Sequence, residues 1–172
     1  MSTDNSEVRL NLGCGPYKLD GFINIDISDF YNPDLVANVL NLPYEKNSVD
    51  VIYAGHLIEH LEPEELFDAI KHWRDLLKPG GTLYLTFPDF EKAFEMWENK
   101  WIDWKELNGV LFGLERPVEG GQYVYHRQLV SVSSLAPFLQ TLFGHWYLEE
   151  ECEYLVARVY WQSTMRAVKP DA

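Results

Sequence analysis

Val8-Arg9-Leu10-Asn11-Leu12 alternates apolar and polar side chains, the period-two rhythm of a strand, and breaks off at the turn Gly13-Cys14-Gly15-Pro16. A second apolar run, Phe22-Ile23-Asn24-Ile25, ends on Asp26, and residues 34–38 hold a short third one. Residues 48–54 are rich in β-branched and aromatic side chains and predict a buried central strand. The rhythm then changes. After Pro63-Glu64-Glu65, a proline and two acids suited to the first turn of a helix, Leu66, Ala69, Ile70, Trp73, Leu76 and Leu77 recur on one helical face until Pro79-Gly80-Gly81 ends it. Residues 82–87 predict a fifth strand, with Pro88-Asp89 at its carboxyl end. Strands alternating with helices predict an α/β fold whose mostly parallel sheet is covered on both faces, with the ligand crevice outside the carboxyl ends of the strands.

The second half is patterned less sharply. Residues 91–112 predict a helix carrying Phe94, Met96, Trp97, Trp101, Trp104, Leu107, Val110 and Leu111. This is more aromatic surface than one buried stripe needs, so these aromatics are a candidate homodimer contact. Ser134 is placed to cap a helix with Leu135, Phe138, Leu139, Leu142 and Phe143, and Gly144 is its stop. Residues 146–150 and 155–169 predict the last two strands. Between the helices, residues 115–127 read as a loop with Gly120-Gly121, Tyr123, Tyr125 and His126, the candidate acceptor side of the crevice.

The chemistry starts at the glycine turn. Gly13 and Gly15 lack a Cβ, so the backbone can take positive φ and a ligand can lie against it, while Asp26 can accept from two ribose hydroxyls. A dinucleotide does not fit. Its fingerprint would place a third glycine where Lys18 stands, no helix follows the turn, and Asp26 comes eleven positions after Gly15, against roughly 20 for a dinucleotide site. The pattern asks for an adenosine cofactor without a pyrophosphate.

Leu10-Asn11-Leu12-Gly13-Cys14-Gly15, Asn24-Ile25-Asp26, Leu42-Pro43-Tyr44, Asp50-Val51-Ile52-Tyr53, His56-Leu57-Ile58-Glu59-His60-Leu61 and Leu77-Lys78-Pro79-Gly80-Gly81 occur in this order. Together they resemble the successive motifs of class I S-adenosylmethionine-dependent methyltransferases, most of all the small type whose first helix is nearly deleted. The resemblance implies a three-layer Rossmann-like methyltransferase fold, mostly parallel and seven-stranded with an antiparallel last strand. It implies one domain over residues 1–172, with residues 8–90 binding S-adenosylmethionine and residues 91–172 facing the substrate. The cofactor residues it implies are Asn11, Leu12, Gly13, Cys14, Gly15, Asp26, Ile27, Asn38, Val39, Leu40, Ala54, Gly55 and His56. Two of these depart from the family: Asn11 stands where an acid usually helps hold the methionine ammonium, and Asn38 where an Asp usually accepts from the adenine amino group. Tyr17 takes the place of a frequent third glycine.

The expected reaction is methyl transfer to oxygen or nitrogen of a small-molecule acceptor. For a hydroxyl acceptor, His126 or His60 is the expected base near neutral pH, ahead of Glu59 and Asp89. His56-x-x-Glu59-His60 also matches an inverted zinc-protease pattern, but a third ligand would have to come from downstream. Its place directly after the strand that ends near Ala54 favours cofactor-lining histidines, and no metal is expected. A zinc-dependent hydrolase built on that motif and a non-catalytic S-adenosylmethionine-binding protein remain the alternatives.

Composition narrows the partners. The net charge of −13, from 27 acids and 14 bases, argues against a phosphate-backbone partner, which needs Lys and Arg to displace counterions. At 172 residues and 47% hydrophobic content the chain can bury a full core. Cys14 and Cys152 are too few for a disulfide framework, the polar start is no signal peptide, and no apolar run approaches a membrane span. These features predict a cytoplasmic protein.

Overall fold

Val49–Gly55, as β4, occupies the middle of a seven-stranded sheet, where its run of Val, Ile, Tyr and Ala is buried on both sides. The computed structural model describes residues 7–113, 125–150, 152, 154 and 161–171. The other strands are β1 (Arg9–Leu12), β2 (Ile23–Asp26), β3 (Leu35–Val36), β5 (Leu77–Pro88), β6 (Trp146–Leu148) and β7 (Gln162–Val168), in the order β3-β2-β1-β4-β5-β7-β6. β1 to β5 are parallel, and β7 runs antiparallel to both β5 and β6. Chain order reverses between β1 and β4, so the crevice at their carboxyl ends is the topological switch point.

The two faces are filled differently. Leu10, Leu12, Ile52, Ala54, Leu83, Leu85, Phe87 and Met165 join one cluster with the buried stripes of α1 (Pro63–Leu76) and α4 (Val132–Phe143). These helices touch through Phe67 and Phe138, whose rings lie 4.6 Å apart, and through Arg74 Nε, which donates to the Leu142 carbonyl at 2.7 Å. Trp73 on α1 is fully buried and its Nε1 donates to the Val39 carbonyl at 2.8 Å, so its one polar atom is satisfied. Because successive strand residues point to opposite faces, Val51 and Tyr53 leave this core and pack with Phe22, Cys152 and Tyr154 on the other side. No helix follows β1: residues 13–22 are turns, and Tyr154 stands edge-on to Phe22, Tyr53 and Tyr84 at 5.0, 5.9 and 5.3 Å.

The structure revises four boundaries. Pro79-Gly80-Gly81 does not follow a helix end directly: α1 stops at Leu76, β5 begins at Leu77, and the three residues form a bulge where the pairing shifts between Val49↔Leu77 and Val51↔Thr82. Lys78, ahead of a proline, is driven into extended backbone, which starts the strand early. The single helix predicted over residues 91–112 is two, α2 (Phe90–Glu98) and α3 (Trp104–Phe112). Asp103 separates them by accepting from Glu106 N at 2.8 Å, while the Glu106 carboxylate accepts from Asp103 N. The cap of α4 is Ser131, with Ser134 three residues in, so that Ser131 Oγ accepts from Ser134 N at 3.2 Å. β6 ends at Leu148, short of residue 150, and β7 occupies Gln162–Val168, while residues 155–160 of the predicted last strand lie outside the described residues.

Candidate active site

The turn after β1 is held open by β2. Cys14 N donates to the Ile25 carbonyl at 3.0 Å, and Gly15 N donates to Asp26 Oδ2 at 2.9 Å. Ser28 N donates to Asp26 Oδ1 at 3.0 Å, so each carboxylate oxygen is fixed by one N–H and keeps a lone pair for a ligand. Gly13 has φ of 62°, and a Cβ there would lie 2.8 Å from Leu57 Cδ1; a Cβ on Gly15 would meet nothing within 4 Å. The turn therefore opens on free space beside a pinned carboxylate, with no helix N-terminus to take a phosphate. Ile27, 72% exposed, adds an apolar surface next to Asp26. Ala37 N bonds the Asp26 carbonyl, which brings Asn38 to the same edge. Asn38 Oδ1 accepts from Leu40 N at 2.9 Å, so its amide is oriented by its own turn. A diol acceptor, an apolar edge and an oriented amide suit an adenosine.

At the end of β4 the backbone is unusual. His56 takes φ of 52°, a conformation that costs a side chain with a Cβ and clusters at functional sites. Its N donates to the Thr86 carbonyl, and its ring lies 3.1 Å from Gln162 Oε1 through Nε2 and 3.4 Å from Glu59 Oε1 through Nδ1. Burial opposes protonation of His56, but Glu59 and Gln162 outweigh it and hold its pKa above the usual value. Glu59 sits on a 3-10 turn, Ile58–His60, is 1% exposed, and neither of its carboxylate oxygens has a hydrogen-bond partner.

Residues 125–128 clasp this turn. Arg127 N donates to the Glu59 carbonyl at 2.8 Å, Gln128 Nε2 donates to the carbonyls of Ile58 and Leu61 at 3.0 and 3.1 Å, and Arg127 pairs with Glu62. This clasp sets the His126 ring beside that of His60, with centroids 5.1 Å apart. His60 Nδ1 meets the Tyr125 carbonyl at 3.0 Å and His126 Nδ1 meets the Val110 carbonyl at 2.8 Å. A carbonyl only accepts, so both Nδ1 atoms carry the proton and both Nε2 atoms are left as bases. Burial is the largest influence on His126 and, with His60, lowers its pKa against the pull of Glu59.

Residues 22–85 match the family described as methyltransferase domain. Solved structures share the whole fold. An S-adenosylmethionine-dependent methyltransferase from Methanosarcina mazei superposes with a TM-score of 0.67 at 18% identity, over 98% of this chain and 95% of that one. One from Archaeoglobus fulgidus gives 0.64 at 16% identity, over 96% and 87%. A Thermotoga maritima protein described as a possible histamine N-methyltransferase gives 0.61 at 15% identity, over 94% and 82%. Among curated proteins no sequence matches. Residues 22–85 thus carry a methyltransferase-domain match, and the whole chain has the fold of S-adenosylmethionine-dependent methyltransferases.

S-adenosylmethionine, were it bound, would supply a methyl group already activated on sulfur, which would leave the chain mainly to hold, orient and dry the reactants. Asp26 and the Gly13–Gly15 turn would be the residues to hold its ribose end, with Gly55 and His56 across the switch point. Leu12, Val39 and Ala54 are core residues, at most 7% exposed, and present no side chain to a ligand. Asn11 is also buried; its Nδ2 donates to the Tyr17 carbonyl at 3.0 Å and to Asn24 Oδ1 at 2.9 Å, which makes it the tie beneath the turn. Cys14 is a packing residue whose thiol is pushed up to about 11, by burial first and by Asp26 next. Asp89 caps α2 and accepts from Glu91 N, Val132 N and Ser163 Oγ, so its oxygens are occupied. Gly120-Gly121 and Tyr123 lie outside the described residues. Sequence reading missed Gln162 and Gln128: neither stands in a motif, and each acts through a contact made by distant chain.

Proposed function

We propose that this chain is an S-adenosylmethionine-dependent methyltransferase that methylates a hydroxyl or amine of a small-molecule acceptor in the cytoplasm. The observation that carries the reading is the pair of imidazoles at the β4 end of the crevice, each with Nδ1–H spent on a carbonyl and Nε2 left basic. Such a pair can take the proton of a hydroxyl or ammonium as the methyl arrives, His126 first and His60 beside it. The surplus of acids over bases supports a small acceptor over a nucleic acid. Among the described residues no helix is long and apolar enough to cross a membrane. Trp97, Trp101 and Trp104, exposed on α2, α3 and the turn between them, support a homodimer formed through these helices.

The test is turnover of methyl-labelled cofactor against a panel of small phenols, alcohols and amines. One or more acceptors should be labelled, and His126→Ala should cut kcat on a hydroxyl acceptor by ~10²–10⁴, the usual worth of a general base. Its affinity for S-adenosylhomocysteine should stay close to wild type. Equal loss of both, or labelling of nucleic acid alone, contradicts the reading.

A further inference from the structure

Glu59 poses a problem of charge. Glu59 is a carboxyl at 1% exposure whose oxygens make no hydrogen bond, with His56 Nδ1 facing Oε1 at 3.4 Å, so most of its acceptor capacity is unspent. Around it the fold gathers nitrogen. His60 Nε2 lies 3.9 Å from Glu59 Oε1, and one ligand atom each from Glu59, His60 and His126 fall within 4.8 Å of one another. The place of residues 56–60 directly after β4 favoured cofactor-lining histidines over a metal in the sequence, and a third ligand had to come from downstream; His126, delivered by the Arg127–Gln128 clasp, is such a group.

The arrangement around the two imidazoles has the second feature of a metal site. A ligating histidine almost always donates its other ring N–H to a carbonyl or carboxylate, which fixes the tautomer and raises the basicity of the ligating nitrogen. His60 does this to the Tyr125 carbonyl and His126 to the Val110 carbonyl. Two histidines and one carboxylate are a zinc-type set that leaves a position open for water or substrate. Donors at such a centre stand ~3.3 Å apart, given metal–ligand distances of ~2.0–2.2 Å. From within 4.8 Å of one another, the three side chains would have to draw in around the ion.

We propose that Glu59, His60 and His126 are the protein ligands of a divalent metal ion of the zinc class at the acceptor end of the crevice. His56 stays outside the set, its Nε2 on Gln162 and its Nδ1 paired with Glu59 Oε1 at 3.4 Å. The existence of the site does not depend on the acceptor reading above; its use does. An acceptor hydroxyl bound in the open position would release its proton to solvent near neutral pH, as zinc-bound water does, and the two histidines would then be ligands and no longer the base.

The experiment uses the full chain, stripped with chelator, desalted and titrated with zinc chloride by calorimetry without cofactor, followed by elemental counting after gel filtration. One zinc per chain is expected, with an X-ray absorption edge of nitrogen and oxygen ligands. His126→Gln and His60→Gln, both partly exposed sites, should each weaken zinc at least tenfold, while unchanged S-adenosylhomocysteine affinity confirms that these variants fold. His56→Ala should keep its zinc. Less than a tenth of an equivalent in wild type, a sulfur-containing edge, or zinc lost in His56→Ala but kept in His126→Gln overturns the site. Methyl transfer that proceeds at full rate with no zinc bound overturns the catalytic use of the ion, whereas stoichiometric zinc with no small acceptor labelled sinks only the acceptor reading.

Discussion

Asp26 carries two loads at once, because the oxygens that await a ribose also hold Gly15 N and Ser28 N. Asp26→Ala should therefore weaken S-adenosylhomocysteine by ~1.5–3 kcal/mol through the ligand bonds, with a faster-exchanging turn as a second sign. Isothermal titration against wild type reads the first, and hydrogen exchange at residues 13–17 reads the second. Gly13 is more demanding still. A valine there must adopt a left-handed backbone, at ~1–2 kcal/mol, and push Leu57 from a 2.8 Å contact, which adds the ~1–3 kcal/mol of an overpacked site. Gly13→Val should lose both cofactor affinity and thermal stability, and an unchanged melting temperature in calorimetry would show that Leu57 yields freely. These two positions were legible in sequence because residue type and spacing alone specify them. The meeting of His60 with the 125–128 segment was not, since the two lie 65 positions apart and are joined by backbone carbonyls that leave no mark on side-chain pattern.

Elements were readable where one period ruled. Pro63 and the stripe from Leu66 to Leu76 announce α1, and its buried face is the one expected. Over α2 and α3 the aromatics fall on all sides, Trp97 and Trp104 among the exposed ones, so the apolar rhythm ran on through the break that Asp103 makes. A polar clamp, invisible to either rhythm, joins three strands: Asp50 on β4 accepts from Val8 N, next to β1, at 2.8 Å and from Lys78 Nζ on β5 at 2.8 and 2.7 Å. Burial would raise its pKa, but Lys78 and the Val8 N–H outweigh that and hold the carboxyl below its usual range. The clamp is thus fully present above the ordinary aspartate pKa of ~3.9 and is lost as pH falls through the lowered value. Asp50→Asn should be less stable than wild type at pH 7, and the gap should close toward pH 2. Urea midpoints across that range measure it, and a gap that stays constant would assign the loss to packing.

At the scale of the molecule, the family match covers residues 22–85, from just before β2 to within β5, while the fold similarity extends over nearly the whole chain. The cofactor half is written in local motifs, and the remainder keeps its shape by packing that many sequences satisfy, which is why its acceptor is not legible. If α2 and α3 carry the dimer contact, replacing Trp101 and Trp104, 69% and 63% exposed, with serine should halve the mass seen in sedimentation equilibrium; a wild type that sediments as a single chain would remove the contact. The two outermost strands bear on how copies can meet. β3 pairs through two residues and β6 spans three, so among the described residues each outermost strand offers only a short stretch of open backbone. A foreign strand has almost no ladder to extend from either side, which blunts sheet-to-sheet aggregation and domain exchange. Association in a concentrated solution is thereby steered to side-chain surfaces, where it can be tuned or abolished one residue at a time.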